Sequence, residues 1–187
     1  LGEVIAAYRP TRVIALGDAT YPSSLLETAD PPLLLYAQGR IELLHAVSIA
    51  IVGSRNPTAQ GTDNARAFAK HLSQAGLAVV SGMALGIDGA AHEGALAGPG
   101  STIAVMGTGA DRIYPARHRA LAHRIAEQGL LLTEFDIGMP PLAENFPQRN
   151  RIIAGLAPRT RVVEPALPSG SLRTASAAVE AGREVIE

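Results

Sequence analysis

Residues 48–61 read SIAIVGSRNPTAQG, and this stretch decides the expected fold. Residues 49–52 form an apolar run without a polar face, which predicts a strand buried on both sides. Gly53 ends the run, and the turn at 54–57 contains a proline that continues neither a strand nor a helix. From Thr62 onward apolar residues recur at helical spacing. The stretch therefore predicts a strand, a tight turn and a helix.

The turn between this strand and this helix is a candidate anion site. A strand–turn–helix unit aims free backbone N–H groups and the positive end of the helix dipole at a bound anion. Arg55 adds a planar fork of donors that suits phosphate. We therefore predict that phosphate binds at Gly53, Ser54 and Arg55, although a tight glycine turn can also have a purely steric reason.

Strands and helices alternate over the rest of the chain. Helix patterns at 62–75, 115–128 and 171–181 separate short apolar runs, which predicts right-handed βαβ units. A proline-rich loop is expected to run to Pro147, followed by a short helix at Asn150–Leu156. We expect an α/β, Rossmann-like core in residues 46–187, with a mostly parallel sheet and helices on both faces. Residues 1–45 are irregular, with a short predicted strand at Val13–Leu16 and an apolar run at Leu33–Tyr36, and they predict a short N-terminal cap packed on that core. The chain lacks an initiator Met and stops inside a predicted strand, so we expect a fragment of a longer protein.

Small residues follow the predicted strands at the point where each strand ends. These turns are Gly53-Ser54-Arg55, Ser81-Gly82, Gly107-Thr108-Gly109, Thr133-Glu134-Phe135 and Pro168-Ser169-Gly170-Ser171. The carboxyl ends of parallel strands meet at one edge of a sheet, where ligands of this fold class bind. Hydroxyls and bare N–H groups suit oxyanions. The sequence thus predicts one anion-binding crevice at this edge.

The stretch 146–151, FPQRNR, places an aromatic ring beside two arginines. A base can stack on an aromatic ring while arginine holds the phosphate, as in single-strand binding without sequence preference. Alternatively, Phe146 fills the core and one arginine pairs with Glu134 or Glu144. We expect some of both, with one of Arg149 and Arg151 structural and the other facing a ligand.

Asp88 and His92 are four residues apart and share a face of a predicted helix. They could form an acid–base dyad, but we favour a structural pair in which Asp88 sits in the first turn and His92 bonds it. The chain has no Gly-x-Ser-x-Gly elbow in a strand–helix context and no metal-ligand spacing. We expect neither covalent catalysis nor a metal.

The composition limits the compartment and the classes of partner that the chain can have. The 187 residues are 47% apolar, carry a net charge of −1 and include no cysteine, which fits a reducing compartment such as the cytoplasm. No apolar run approaches the roughly 20 residues that span a membrane. The net charge does not indicate a nucleic-acid binder, but residues 112–124 hold four Arg and two His without an acid.

Several motifs together resemble the Rossmann-like core of the DNA-processing protein A (DprA/Smf) family. The matching stretches are YP at 21–22, IVGSR at 51–55, SGMALGIDGAAHEGAL at 81–96, TIAVMGTGADRIYP at 102–115, FPQRNRIIAGL at 146–156 and SGSLRTASAAVEAGREV at 169–185. The resemblance runs from about residue 13 to the end of the chain.

The resemblance implies a cytoplasmic protein without catalytic activity, cofactor, metal or membrane contact. Such a protein binds single-stranded DNA, protects incoming strands and helps load the RecA recombinase in natural transformation (competence) and recombination. Members usually continue into a segment that dimerises and meets RecA, so a homodimer is implied for a longer protein. Arg55 is the implied leading DNA contact. The implied DNA-binding residues are Gly53, Ser54, Arg55, Ser81, Gly82, Gly107, Phe146, Arg149, Asn150, Arg151, Ser169, Gly170 and Ser171.

Two other functions remain as alternatives. The same core resembles nucleoside-monophosphate phosphoribohydrolases of the lysine-decarboxylase-like group, whose signature is Pro-Gly-Gly-x-Gly-Thr with a Glu three residues on. Residues 168–174 correspond to that signature, but Ala177 stands at the position of the Glu. A dinucleotide-binding domain requires Gly-x-Gly-x-x-Gly after the first strand, and residues 53–58 do not provide it.

Overall fold

A computed structural model of the chain describes residues 12–164, 170–180 and 182–186. Its strands are β1 (Arg12–Ala15), β2 (Leu34–Gly39), β3 (Ser48–Gly53), β4 (Ala78–Ser81), β5 (Thr102–Val105), β6 (Leu130–Thr133), β7 (Arg159–Val163) and β8 (Glu184–Ile186). Its α-helices are α1 (Ser23–Leu26), α2 (Ala59–Gln74), α3 (Ile87–Ala95), α4 (Arg119–Gln128), α5 (Asn145–Leu156) and α6 (Gly170–Glu180). Two 3-10 helices occupy Ile41–His45 and Ala116–His118.

The strands form one sheet in the order β1-β2-β6-β5-β4-β3-β7-β8. Strands β3 to β8 all run parallel. From β3 the chain moves outward through β4 and β5 to β6, and it then returns to the other side of β3 to form β7. This reversal of direction opens a crevice beyond the carboxyl ends of the central strands. The predicted α/β, Rossmann-like fold is confirmed.

The apolar side chains of the central strands are buried on both faces of the sheet. The face that carries Ile51 and Val79 packs against α2 and α3. The opposite face, with Val52 and Val80, packs against α5. This double burial explains why the central strands read as continuous apolar runs without alternation.

Residues 12–45 contribute two strands to the sheet. Strand β1 pairs antiparallel with β2, and β2 pairs antiparallel with β6, with Tyr36 opposite Thr133. The predicted cap also included residues 1–11, which lie outside the described residues. Within the described residues, no helix is both long and apolar enough to cross a bilayer.

Helix α5 differs from its prediction because it begins at Asn145, five residues before the expected start at Asn150. Pro147 explains this difference, because a proline in the interior of a helix usually breaks it and therefore predicts a loop. In the first turn of a helix, however, the backbone N–H has no partner inside the helix, so a proline is tolerated there. Phe146 and Arg149 consequently stand on a helix and not on a loop.

Candidate functional site

A crevice of about 510 Å³, partly open to solvent, lies beyond the carboxyl ends of β3, β4 and β5. Its lining residues are Arg55, Gly82, Ala84, Leu85, Gly107, Tyr114, Pro115, Phe146 and Arg149. Five of the predicted site residues therefore meet here: Arg55, Gly82, Gly107, Phe146 and Arg149. None of the described residues that line the crevice is acidic.

Arg55 is the exposed cation of the crevice. It lies in the turn after β3, and in the described part of the chain it makes no hydrogen bond or ion pair. The guanidinium of Arg149 lies close enough to repel it electrostatically. Two cations held near each other without an exposed acid between them favour an anionic ligand.

Arg149 forms part of the crevice wall and is only 4% exposed. Its Nη1 donates to the carbonyl oxygens of Gly82 and Val105, and its Nε donates to Asn150 Oδ1 at 3.2 Å. Burial lowers the pKa of Arg149 to about 10, against the opposing effect of the Asp88 carboxylate. The guanidinium is therefore still protonated at neutral pH, and the backbone of β4 and β5 fixes its position.

Asp88 supports this wall from behind. Its Oδ2 accepts hydrogen bonds from the backbone N–H of Gly82 at 3.2 Å and of Ala84 at 3.3 Å. Burial raises the pKa of Asp88, although the charge of Arg149 opposes this effect. Both groups lie within 2.8 Å of the point where a Cβ on Gly82 would stand, so only glycine fits between them.

His92 does not pair with Asp88, and this part of the structural prediction is wrong. Its Nδ1 is 2.7 Å from Thr102 Oγ1, and that hydroxyl donates to the carbonyl of Val79. The side chain thus reaches across to β5, while Asp88 is already satisfied by backbone N–H groups of the preceding turn. Burial lowers the pKa of His92 to about 3.

The other wall of the crevice is aromatic. The rings of Tyr114 and Phe146 have their centroids 5.6 Å apart and are tilted by 42°. A Cβ on Gly107 would stand 2.8 Å from the Phe146 ring, so glycine is needed for the ring to lie against the backbone. Asn145 Nδ2 donates to the carbonyl of Gly107 at 3.1 Å and so ties the start of α5 to this turn. Tyr114, 51% exposed, was not among the predicted site residues.

The hydroxyl groups of Ser54, Ser81 and Thr133, which the structure describes, do not line the crevice, contrary to the prediction. Ser81 Oγ donates to the carbonyl of Ile51 at 2.6 Å, and Thr133 Oγ1 donates to that of Thr108 at 2.8 Å. Ser54 Oγ accepts from the N–H of Asn56 at 3.1 Å. These hydroxyls satisfy buried backbone groups next to the turns, which is the commonest use of such side chains.

Two side chains of the protein accept hydrogen bonds from backbone N–H groups at the amino end of α2, where the sequence predicts an anion site. Thr58 caps the helix by accepting from the N–H of Gly61 at 3.0 Å. The carboxylate of Glu164, which follows β7, accepts from the N–H of Thr58 at 2.9 Å. A side chain of the protein itself thus supplies the negative charge that the helix dipole favours. Gly53 lies beneath this turn, where a Cβ would collide with Ile87.

Arg151 is the structural member of the predicted arginine pair. It forms an ion pair with Glu134 and lies 3.5 Å from Asp30, and its side chain is 20% exposed. The expectation that one arginine would pair with Glu134 is confirmed. Asn150 is buried against Arg149.

Three predicted site residues follow β7. Ser169 lies outside the described residues. Gly170 and Ser171 begin α6, and only their backbone is described. Among the residues with described side chains, no group of three or more His, Cys, Asp or Glu could hold a metal ion.

Comparison with known proteins gives a consistent result along the chain. The sequence model of the family described as DNA recombination-mediator protein A matches residues 12–187. Protein Smf of Escherichia coli (strain K12) is 49% identical over 166 residues, which cover 88% of this chain and 44% of that protein. This chain therefore spans less than half of that relative.

Two solved structures are similar over nearly the whole chain. The X-ray structure of DNA processing protein A from Streptococcus pneumoniae gives a TM-score of 0.89 at 40% identity, covering 98% of this chain and 65% of that one. A structure of DNA processing protein A from Helicobacter pylori, which concerns its single-stranded DNA binding mode, gives 0.85 at 31% identity, covering 93% and 79%.

Proposed function

This chain belongs to the DNA recombination-mediator protein A family, and from that premise we propose that its crevice binds single-stranded DNA. The observation that carries the proposal is the exposed, unpaired guanidinium of Arg55 at the rim of an aromatic-walled crevice. Single-stranded DNA has both features that such a site recognises, namely a phosphate for the guanidinium and an unpaired base for the aromatic rings. A duplex keeps its bases stacked inside and offers only the phosphate.

In the proposed complex, Arg55 holds a phosphate and the wall formed by Tyr114 and Phe146 stacks a base. Arg149 supports this contact because its charge is fixed before the ligand arrives. Backbone carbonyls orient its guanidinium, so DNA binding requires no reordering of that side chain. Stacking on an aromatic ring is available to every base, so we expect little sequence preference.

The proposed activity is binding without catalysis. The described lining of the crevice offers no carboxylate for general acid–base chemistry or for stabilising an oxocarbenium ion. In the phosphoribohydrolase alternative, Ala177 replaces the expected glutamate. Incubation with AMP distinguishes the two functions, because release of free adenine would establish the enzyme and contradict this part of the proposal.

For the longer protein we propose the roles implied by the family: protecting incoming strands and loading RecA in transformation and recombination, in the cytoplasm and as a homodimer. Loading can be followed through the ATPase activity of RecA on strands coated with single-strand-binding protein. The longer protein should shorten the lag of that reaction, and its Arg55→Gln variant should not. An equal lag with and without the longer protein would contradict the loading role.

DNA binding itself is tested by fluorescence anisotropy with labelled oligo-dT and a duplex of equal length, over a range of salt concentrations. Loss of one phosphate contact lowers the slope of log K against log salt by about 0.7 for a single strand. We therefore expect Arg55→Gln to bind oligo-dT more weakly, with its slope reduced by about that amount.

The matched control is Arg159→Gln. Arg159 is the first residue of β7, so it lies at the amino ends of the parallel strands, whereas the crevice lies at their carboxyl ends. Its ion pair with Glu184 is exposed, so loss of that pair costs little stability. This variant should bind like the parent. If folded Arg55→Gln also bound oligo-dT like the parent, the assignment of the site would be wrong.

A further inference from the structure

Two exposed arginines stand directly beside the crevice. Arg117 lies in the 3-10 helix Ala116–His118, and Arg119 is the first residue of α4. Both are exposed, and neither side chain has a hydrogen bond or ion pair within the described residues. We refer to Arg117 and Arg119 as the basic ridge.

The chain connects the basic ridge closely to the crevice. Pro115 lines the crevice, and Arg117 follows two residues later, so their Cα atoms are at most about 7.6 Å apart. His118, between the two arginines, is turned inward, with its Nδ1 3.0 Å from the carbonyl of Met83. This contact holds the segment against the protein and leaves the flanking arginines exposed to solvent.

The charges around the basic ridge reinforce its positive character. Residues 112–124 contain no acid, and the next acid along α4 is Glu127 near the end of the helix. On the other side, Asp111 lies 3.9 Å from Arg112, whose charge offsets it. Two unpaired guanidinium groups suit a polyanion better than a single small anion, because each can hold a separate phosphate.

We propose that the basic ridge binds further phosphates of the same DNA strand as it leaves the crevice past Tyr114. The inference rests on the proposed function and extends it from a pocket for one nucleotide to a track. The DNA strand would follow one path over the protein surface, from Arg55 across the aromatic wall to Arg117 and Arg119. Oligomer length should therefore decide whether the ridge contributes to binding.

The test compares the dinucleotide TpT, which carries one phosphate, with oligo-dT of about 20 nucleotides on the 187-residue chain and on its Arg117→Gln/Arg119→Gln variant, over a range of salt concentrations. With the longer oligomer, loss of two phosphate contacts should lower the salt slope by about 1.4. With the dinucleotide, whose single phosphate is held at Arg55, parent and variant should bind alike. Arg55→Gln should weaken the binding of both lengths.

Two further variants separate charge from structure. Arg117→Lys/Arg119→Lys keeps both charges and should retain most of the slope, whereas Arg159→Gln removes a distant charge and should change nothing. Circular dichroism confirms that each variant is folded.

Other outcomes would overturn the inference. An unchanged slope on the long oligomer, or an equal loss on both lengths, would show that the ridge is not an extension of the track. In either case the proposed function stands if Arg55→Gln still weakens binding. If Arg55→Gln also had no effect, the crevice itself would be the wrong site.

Discussion

Replacement of Arg149 by methionine tests how the crevice wall is held together. The guanidinium is buried and satisfies the carbonyls of Gly82 and Val105. Its positive charge also stabilises the buried carboxylate of Asp88, whose pKa it lowers against the effect of burial. Arg149→Met removes the positive charge but keeps much of the side-chain volume, so its effect reports mainly on electrostatics and hydrogen bonding.

The size of the effect follows from the geometry. Arg149 Nη1 and Asp88 Oδ2 lie 2.8 and 2.7 Å from the same point beside Gly82, which places them less than about 6 Å apart. Unit charges at that separation attract by about 3 kcal/mol at an effective dielectric constant of about 20. Removing one partner of a buried pair typically costs about 3–5 kcal/mol, because the other charge is left uncompensated. We expect Arg149→Met to lower the free energy of unfolding by that amount at pH 7.5.

The loss should depend on pH in a definite direction. The folded-state pKa of Asp88 is already raised by burial, and removal of Arg149 raises it further. A carboxyl group with a raised folded-state pKa contributes stability that is present below its unfolded pKa of about 3.9 and is lost as pH rises through the folded value. The destabilisation caused by Arg149→Met should therefore be smaller at pH 5.0 than at pH 7.5.

Urea unfolding followed by far-UV circular dichroism measures these differences, since the chain has no tryptophan for fluorescence. In a double-mutant cycle with Asp88→Asn, the loss in Asp88→Asn/Arg149→Met should be smaller than the sum of the two single losses by about 3 kcal/mol, the Coulomb energy estimated at that separation. A loss that is equal at both pH values and is not relieved by Asp88→Asn would refute the electrostatic account.

Two further predictions concern neighbouring groups. Gly107→Ala should weaken oligo-dT binding severalfold in anisotropy measurements, because the added Cβ would stand 2.8 Å from the Phe146 ring and displace it; unchanged binding would exclude that ring from the site. His92, with a pKa of about 3, should show no titration between pH 5 and 8 in histidine NMR spectra. Because the unfolded imidazole protonates near pH 6.5, the contribution of His92 to stability should fall by about 1.4 kcal/mol per pH unit on acidification towards pH 3, and His92→Gln should lack this contribution.

The sequence predicted the architecture well because double burial and glycine turns leave clear signals. The apolar run at 49–52 and the helix beginning near Thr62 correspond to β3 and α2. The start of α5 was missed because the rule that proline breaks helices was applied to a first turn, where it does not hold. The two antiparallel strands at the β6 edge were recognised as apolar runs, but a run of residues does not reveal its partner strand.

The site was predicted in outline and misjudged in detail. Sequence places residues at the same edge of a sheet, but it does not show whether a hydroxyl points into a crevice or back to a carbonyl. Ser81 looked like a ligand group and bonds the backbone of β3 instead. Tyr114 was not predicted because it lies beyond the glycine turn. The available signal was an aromatic residue before a proline, inside the basic stretch 112–124.

Glu164 has a consequence for the choice between small and polymeric anions. Its carboxylate stands at the amino end of α2, the place where folds of this topology take the pyrophosphate of a nucleotide. A fixed negative charge there repels the phosphates of free nucleotides, which are abundant in cells and chemically similar to DNA. A single acidic side chain can in this way keep the cell's nucleotide pool from competing for a site built on a nucleotide-binding topology.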